Sequence, residues 1–143
     1  MLQGLMMNSQ LLITSIMRFA QANHADREIV SVTADAPEHR YTYGAAFARA
    51  AQLANALRAH GLAAGDRVGT LAWNDHRHFE LYYGVSCAGF VCHTINPRLF
   101  PAQLDYIINH ATDRLLFVDP MFVPLVEQLR SKLSSVEAII VLS

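Results

Sequence analysis

Cysteine is scarce: Cys87 and Cys92 are the only two in 143 residues. They lie five positions apart in an apolar stretch, with neither the paired spacing of a zinc site nor the density of a secreted disulfide framework. Both are expected to be reduced and buried. Charge is also thin, 16% of residues with 12 acidic and 11 basic side chains, for a net charge of −1. The basic residues are scattered singly, so there is no electrostatic footprint for nucleic acid or an anionic membrane surface. Apolar runs stay well short of the roughly 18 residues that suggest a membrane-spanning helix. The short run from Leu11 to Met17 has no basic segment before it and Asn8-Ser9-Gln10 interrupts it, which argues against a signal peptide. The cytoplasm is the expected compartment.

What is abundant is apolar. Hydrophobic residues make up 52% of the chain, against roughly 45–50% in typical soluble domains, so a core is affordable and covering partners are expected.

Residues 9–22 read as a helix capped by Ser9, with Leu12, Ile13, Ile16, Met17 and Ala20 on one docking stripe. Ile29 to Thr33 and Arg40 to Tyr43 read as the strands of a hairpin, joined by the turn residues Asp35-Ala36-Pro37-Glu38. A helix over Gly44 to His60 stops at Gly61. The strand Arg67 to Trp73 leads to a helix capped by Asp75 and ended by Gly89. A strand over Phe90 to Ile95 precedes a helix with Pro101 at its first position. The strand Leu115 to Val118 runs into Asp119-Pro120, the strongest helix start in the chain, and Phe122, Val126, Leu129 and Leu133 share a stripe beyond it. Ala138 to Leu142 is a last apolar strand.

Repeated alternation of helix with wholly apolar strand specifies an α/β fold: a mostly parallel sheet with helices on both faces. The expected organisation is an N-terminal helical segment (1–28), a hairpin (29–43) and an alternating scaffold (44–143) in one structural unit. The last strand needs neighbours that the sequence does not supply, so a longer natural chain is expected.

Gly61 to Asp66 contains two glycines, but it joins a helix to a strand, the reverse of a phosphate loop, and lacks the Lys-Ser or Lys-Thr that would follow. His76 and His78 point roughly 200° apart on a helix and cannot share a metal there. His24, His39, His60 and His110 stand singly at element ends, where solvated or capping roles are expected. Neither cysteine has an activating base in sequence, and Ser31 and Ser86 lack a nucleophile elbow. Trp73, Asn74, His93, Asn96 and Arg98 remain. They fall at the C-terminal ends of predicted parallel strands, where open α/β sheets gather ligands. They are either walls of a substrate site or residues that satisfy loop backbone and pack locally; the pattern leaves both open.

The run LAWNDHRHFELYYGVSCAGFVCHTINPRLFPAQLDYIINHATDRLLFVD, Leu71 to Asp119, closely resembles the N-terminal region of AMP-forming fatty acyl-CoA synthetases of the adenylate-forming superfamily. RYTYGAAFARAAQLANALRAHGLAAGDRV, Arg40 to Val68, resembles the segment before it. The resemblance implies part of a large N-terminal AMP-binding domain from a fatty acid–CoA ligase using ATP, Mg²⁺ and CoA. It implies no catalytic, cofactor-binding or metal-binding residue here, because the family's Ser/Thr/Gly-rich phosphate loop, its adenine and ribose contacts and its C-terminal lysine have no match in this sequence. The expected partners are the remainder of the chain, a fatty acid and, through the first helix, a second copy. Two other functions compete: a self-sufficient interaction or dimerisation module without catalysis, and a small receiver-like or nucleotide-binding domain. The last lacks the acidic cluster or glycine fingerprint it needs.

Overall fold

The computed structural model describes residues 4–5, 7–33 and 38–142. The expected turn residues Asp35, Ala36 and Pro37 lie outside them.

Four parallel strands, β3 (Arg67–Leu71), β4 (Val91–Thr94), β5 (Leu115–Val118) and β6 (Ala138–Val141), form one sheet in the order β4-β3-β5-β6. The strand pleat divides their side chains. Val68, Leu115 and Phe117 face a core completed by Leu57 of α2 (Tyr43–Ala59) and by Leu81 and Val85 of α3 (His76–Ser86). Leu71, Leu116 and Val118 face the opposite core, with Leu104 and Ile108 of α4 (Pro101–Ala111) and Val126 and Leu129 of α5 (Val123–Leu129). β5 is buried at every position, as a central strand covered on both faces must be. A separate antiparallel hairpin pairs β1 (Glu28–Ser31) with β2 (His39–Thr42).

Local chemistry sets most boundaries. Thr42 caps α2 by accepting from the Ala45 amide, and α2 gives way at Gly61 with φ 93°. Asp75 caps α3 through the Arg77 and His78 amides. At α4 the Gln103 side chain accepts from the Phe100 amide, and Pro101 occupies the first turn, where no amide is missed. Asp119 accepts from the Met121 amide, but in a single 3-10 turn, Pro120–Phe122. The regular helix begins only at Val123, where the expectation placed one continuous helix.

The first helix departs furthest from expectation. α1 spans Ile13–His24, with Leu12 rather than Ser9 at its N-cap and no side-chain cap. None of its residues is buried. Thr14, Met17 and Arg18 border α2 and α3, whereas Leu12, Ile16 and Phe19 are exposed. The amphipathic period is real, but the contacting side is narrower than the expected stripe, because α2 and α3 already fill the sheet face with their own apolar residues. Among the described residues, no helix is long and apolar enough to cross a membrane.

Candidate functional site

After β3 the chain turns through α3 to β4 on one side of the sheet, and after β5 it turns through α5 to β6 on the other. The crevice between the C-terminal ends of β3 and β5 is therefore the topological switch point, where open α/β sheets receive ligands. Trp73, Asn74 and Asp75 come to it from β3; Asp119, Met121 and Phe122 come from β5.

The chain's own side chains occupy this crevice. Arg77 is 8% exposed. Its Nη2 and Nε donate to Asp75 Oδ2 at 2.6 and 3.0 Å, Nη2 also reaches Asp119 Oδ2 at 3.3 Å, and Nη1 donates to the Leu142 carbonyl at 3.0 Å. One guanidinium thus ties together the strand ends of β3, β5 and β6. Burial works to raise the Asp75 carboxyl, but the Arg77 hydrogen bonds and the α3 amides outweigh it and hold the group below its ordinary value. Above this ion cluster, Trp73 packs on Phe122 with ring centroids 5.2 Å apart, and its Nε1 donates to Met121 Sδ at 3.4 Å. Trp73 therefore packs across the crevice.

His78 pins the same loop from beneath. Its Nδ1 lies 3.2 Å from the Trp73 carbonyl, which can only accept, so Nδ1 carries the proton and Nε2 accepts from the Thr70 hydroxyl at 2.9 Å. Burial depresses the pKa of this imidazole.

The other sequence-identified residues lie elsewhere. Asn74 is exposed at the rim and lines a groove with Ser31, His76 and Tyr82. Asn96 and Arg98 are exposed beyond β4, where Asn96 Oδ1 accepts from the Arg98 amide at 3.0 Å in a local turn. His93 sits within β4, and its Nδ1 donates to Asp113 Oδ2 at 2.7 Å. Asp113 is fully buried, and its Oδ1 has no hydrogen-bond partner among the described residues. Gly69 makes room for this pair, since a Cβ there would stand 2.9 Å from Asp113 Oδ2. The Asp113 hydrogen bond raises the His93 pKa against the opposing effect of burial.

The sequence reading missed the Arg77 cluster. Asp75 and Asp119 were legible as helix caps, and they do cap; an Asp-x-Arg at a helix start beside a second strand-end aspartate was the available signal. His39 also departs from the solvated or capping role expected for it, because it stacks on His76 with centroids 3.7 Å apart. His76 faces the hairpin while His78 faces Thr70, so the two point to different partners. Both cysteines are free and half-buried, and burial pushes the Cys92 thiol up to about 11.

A parallel sheet covered by helices on both faces, with its crevice between β3 and β5, defines the class: an open α/β fold. Residues 17–143 match the AMP-binding enzyme family, and this chain belongs to it. It is 53% identical over 134 residues to the 3-methylmercaptopropionyl-CoA ligase of Ruegeria lacuscaerulensis, covering 94% of this chain and 25% of that protein. It is 44% identical over 140 residues to the medium-chain-fatty-acid–CoA ligase of Ectopseudomonas oleovorans, covering 98% of this chain and 26% of that one. The fold superposes on the anthranilate CoA ligase AuaEII in complex with anthranoyl-AMP with a TM-score of 0.80 at 27% identity, over 90% of this chain and 24% of that chain. The chain thus spans about a quarter of the length of the curated relatives it matches.

Proposed function

We propose that this chain is scaffold from an AMP-forming fatty acid–CoA ligase. In the reaction, a fatty acid attacks the α-phosphate of ATP to give an acyl-adenylate and pyrophosphate, and the CoA thiol then displaces AMP. The observation that carries this reading is the family match over residues 17–143, together with 44% identity to a fatty-acid ligase along nearly the whole chain.

The side chains at the switch point do not fit a polyphosphate or Mg²⁺ site. Asp75 and Asp119 are committed to Arg77, the sequence has no phosphate loop, and adenylation needs cations and amides held around the phosphates. We assign no step of the reaction to these residues. Their part is to brace the strand ends that border the crevice, and ATP, Mg²⁺ and CoA belong to the remainder of the parent chain. Within that parent, α1, the β1–β2 hairpin and the alternating elements from α2 onward make up part of an AMP-binding domain. We propose Trp73 and Asn74, at the crevice and its rim, and His93, Asn96 and Arg98, along and beyond β4, for the substrate-side wall of that domain.

The higher identity to a 3-methylmercaptopropionyl-CoA ligase favours a second reading of the acid, a short thioether carboxylate. Pyrophosphate release with acids of graded chain length and with 3-methylmercaptopropionate tests both. Acid-dependent release is expected from the continuous parent reading frame and not from the 143 residues alone. Turnover by the isolated chain overturns the scaffold role, and a parent inert towards every acid overturns the ligase. A monodisperse, cooperatively unfolding 143-residue species would favour the interaction module instead.

A further inference from the structure

Three polar groups meet between β3 and α3, directly beneath the crevice. Thr70 is fully buried and His78 is 3% exposed, with Thr70 Oγ1 2.9 Å from His78 Nε2. On the other side of the ring, Nδ1 reaches the Trp73 carbonyl at 3.2 Å. That carbonyl also accepts from the Asp75 amide at 3.1 Å, so both of its lone pairs are taken. The His78 amide returns to Asp75 Oδ1 at 3.2 Å, and Tyr82 stacks on the imidazole with centroids 4.5 Å and planes 11° apart. The ring cannot slide or turn over without losing a partner.

We propose that His78 is a positioning residue for the substrate-side wall: donating from Nδ1, it fixes the Trp73 carbonyl and so aims the indole across the crevice. The inference rests on the assignment of Trp73 to that wall. An apolar side chain would fill the place of His78 at lower cost, because buried polar groups stabilise nothing unless every bond is made. What the imidazole supplies is direction. With the Asp75 amide on one lone pair and the imidazole on the other, the peptide plane between Trp73 and Asn74 has a single setting. Trp73 is half-buried and Asn74 is exposed, so packing alone does not hold this loop. The contacts of Trp73 with Phe122 and Met121 depend on where its backbone is placed.

The arrangement calls for an uncharged imidazole, since Nε2 has to accept. Burial holds the His78 pKa below its ordinary 6.5, against the Trp73 bond and the Asp75 charge, which both act to raise it. Thr70 selects the tautomer: its hydroxyl donates to Nε2 and leaves the ring proton on Nδ1, where the Trp73 carbonyl takes it up. A core residue of β3 thus governs, through His78, a side chain at the mouth of the crevice.

Two amide side chains separate direction from packing. Asparagine carries its amide nitrogen at the reach of Nδ1 and glutamine at the reach of Nε2. His78→Asn therefore keeps a donor for Trp73 and His78→Gln keeps a partner for Thr70, while both give up the ring and its stack on Tyr82. The emission of Trp73, the single indole of the chain, is expected to keep its wild-type maximum in H78N. In H78Q it is expected to shift to the red, with acrylamide quenching raised at least about twofold. In the continuous parent, H78Q is expected to raise the KM for the acid several-fold over that of H78N, with kcat and the KM for ATP the same in both. Equal emission and equal acid KM in the two variants overturn the inference. A difference in emission without one in acid KM overturns the place of Trp73 in the wall, and the positioning role falls with it. The wild-type imidazole decides the matter where neither variant folds: its nitrogen NMR signals are expected to show a protonated Nδ1 and a bare Nε2, and the reverse tautomer overturns the proposal.

Discussion

Single side chains carry charge into places where only one partner suits them. Arg77 shows the consequence most sharply: replacing it with methionine keeps the volume but leaves Asp75 and Asp119, both nearly buried, without their cation. Breaking a buried pair from one side costs about 3–5 kcal/mol, so Arg77→Met is expected to lower the denaturant midpoint markedly. Its effect is visible in the emission of Trp73, the one tryptophan in the chain, which shares the crevice. The Asp75 contribution is present above its ordinary value of 3.8 and is lost as acid titrates it through the depressed native value. His93 behaves in the opposite sense to Asp75. Its native pKa is raised, so its bond to Asp113 stabilises fully below about pH 6.5 and fades as the pH rises through the native value. Asp113→Asn is expected to move the His93 imidazole titration downward and to remove that pH dependence of stability; an unmoved NMR titration would refute the assignment. Of these groups the sequence identified His93, Asp75 and Asp119; Arg77 stands two residues from Asp75, but the pairings of Asp119 and His93 were invisible because their partners come from another strand or loop.

At the level of elements, α2 and α3 approach through small residues. A Cβ on Gly84 would lie 2.7 Å from Leu53 Cδ2 and 3.0 Å from the Ala50 carbonyl oxygen. The leucine can turn away; the backbone oxygen cannot, and overpacking of this kind costs about 1–3 kcal/mol. Gly84→Ala is therefore expected to destabilise the protein despite alanine's better helix propensity, as thermal unfolding would show. Strands and helices from β3 onward were legible because apolar runs bounded by Gly, Pro and Asp leave little choice; Leu115–Val118 was readable to the residue. Two readings failed for physical reasons. Asp119-Pro120 has the chemistry of a helix start, yet the chain makes a tight 3-10 turn there, carrying Phe122 to Trp73 before α5 begins. Ser9 has the chemistry of a cap, but the helix begins at Ile13 without one, since α1 is positioned by Thr14 and Met17 against its neighbours.

Taken whole, the molecule is a sheet whose two ends are fastened by arginines. At the amino ends of the strands, Arg67 bonds the Ala111 carbonyl and the Thr112 hydroxyl, and Arg114 bonds Asp66, Glu137 and the Gly61 carbonyl. At the carboxyl ends Arg77 does the same for β3, β5 and β6. The strand order has a further consequence, in time. Val68 of β3 pairs with Cys92 on one side and with Leu115 on the other, so its second partner is made much later than its first. At about 5–20 residues per second, the ribosome takes roughly 1–5 s to go from one to the other. Throughout that interval the strand destined for the centre of the sheet has an open edge, and the nascent chain must keep Val68, Thr70 and Leu71 from pairing with a stranger.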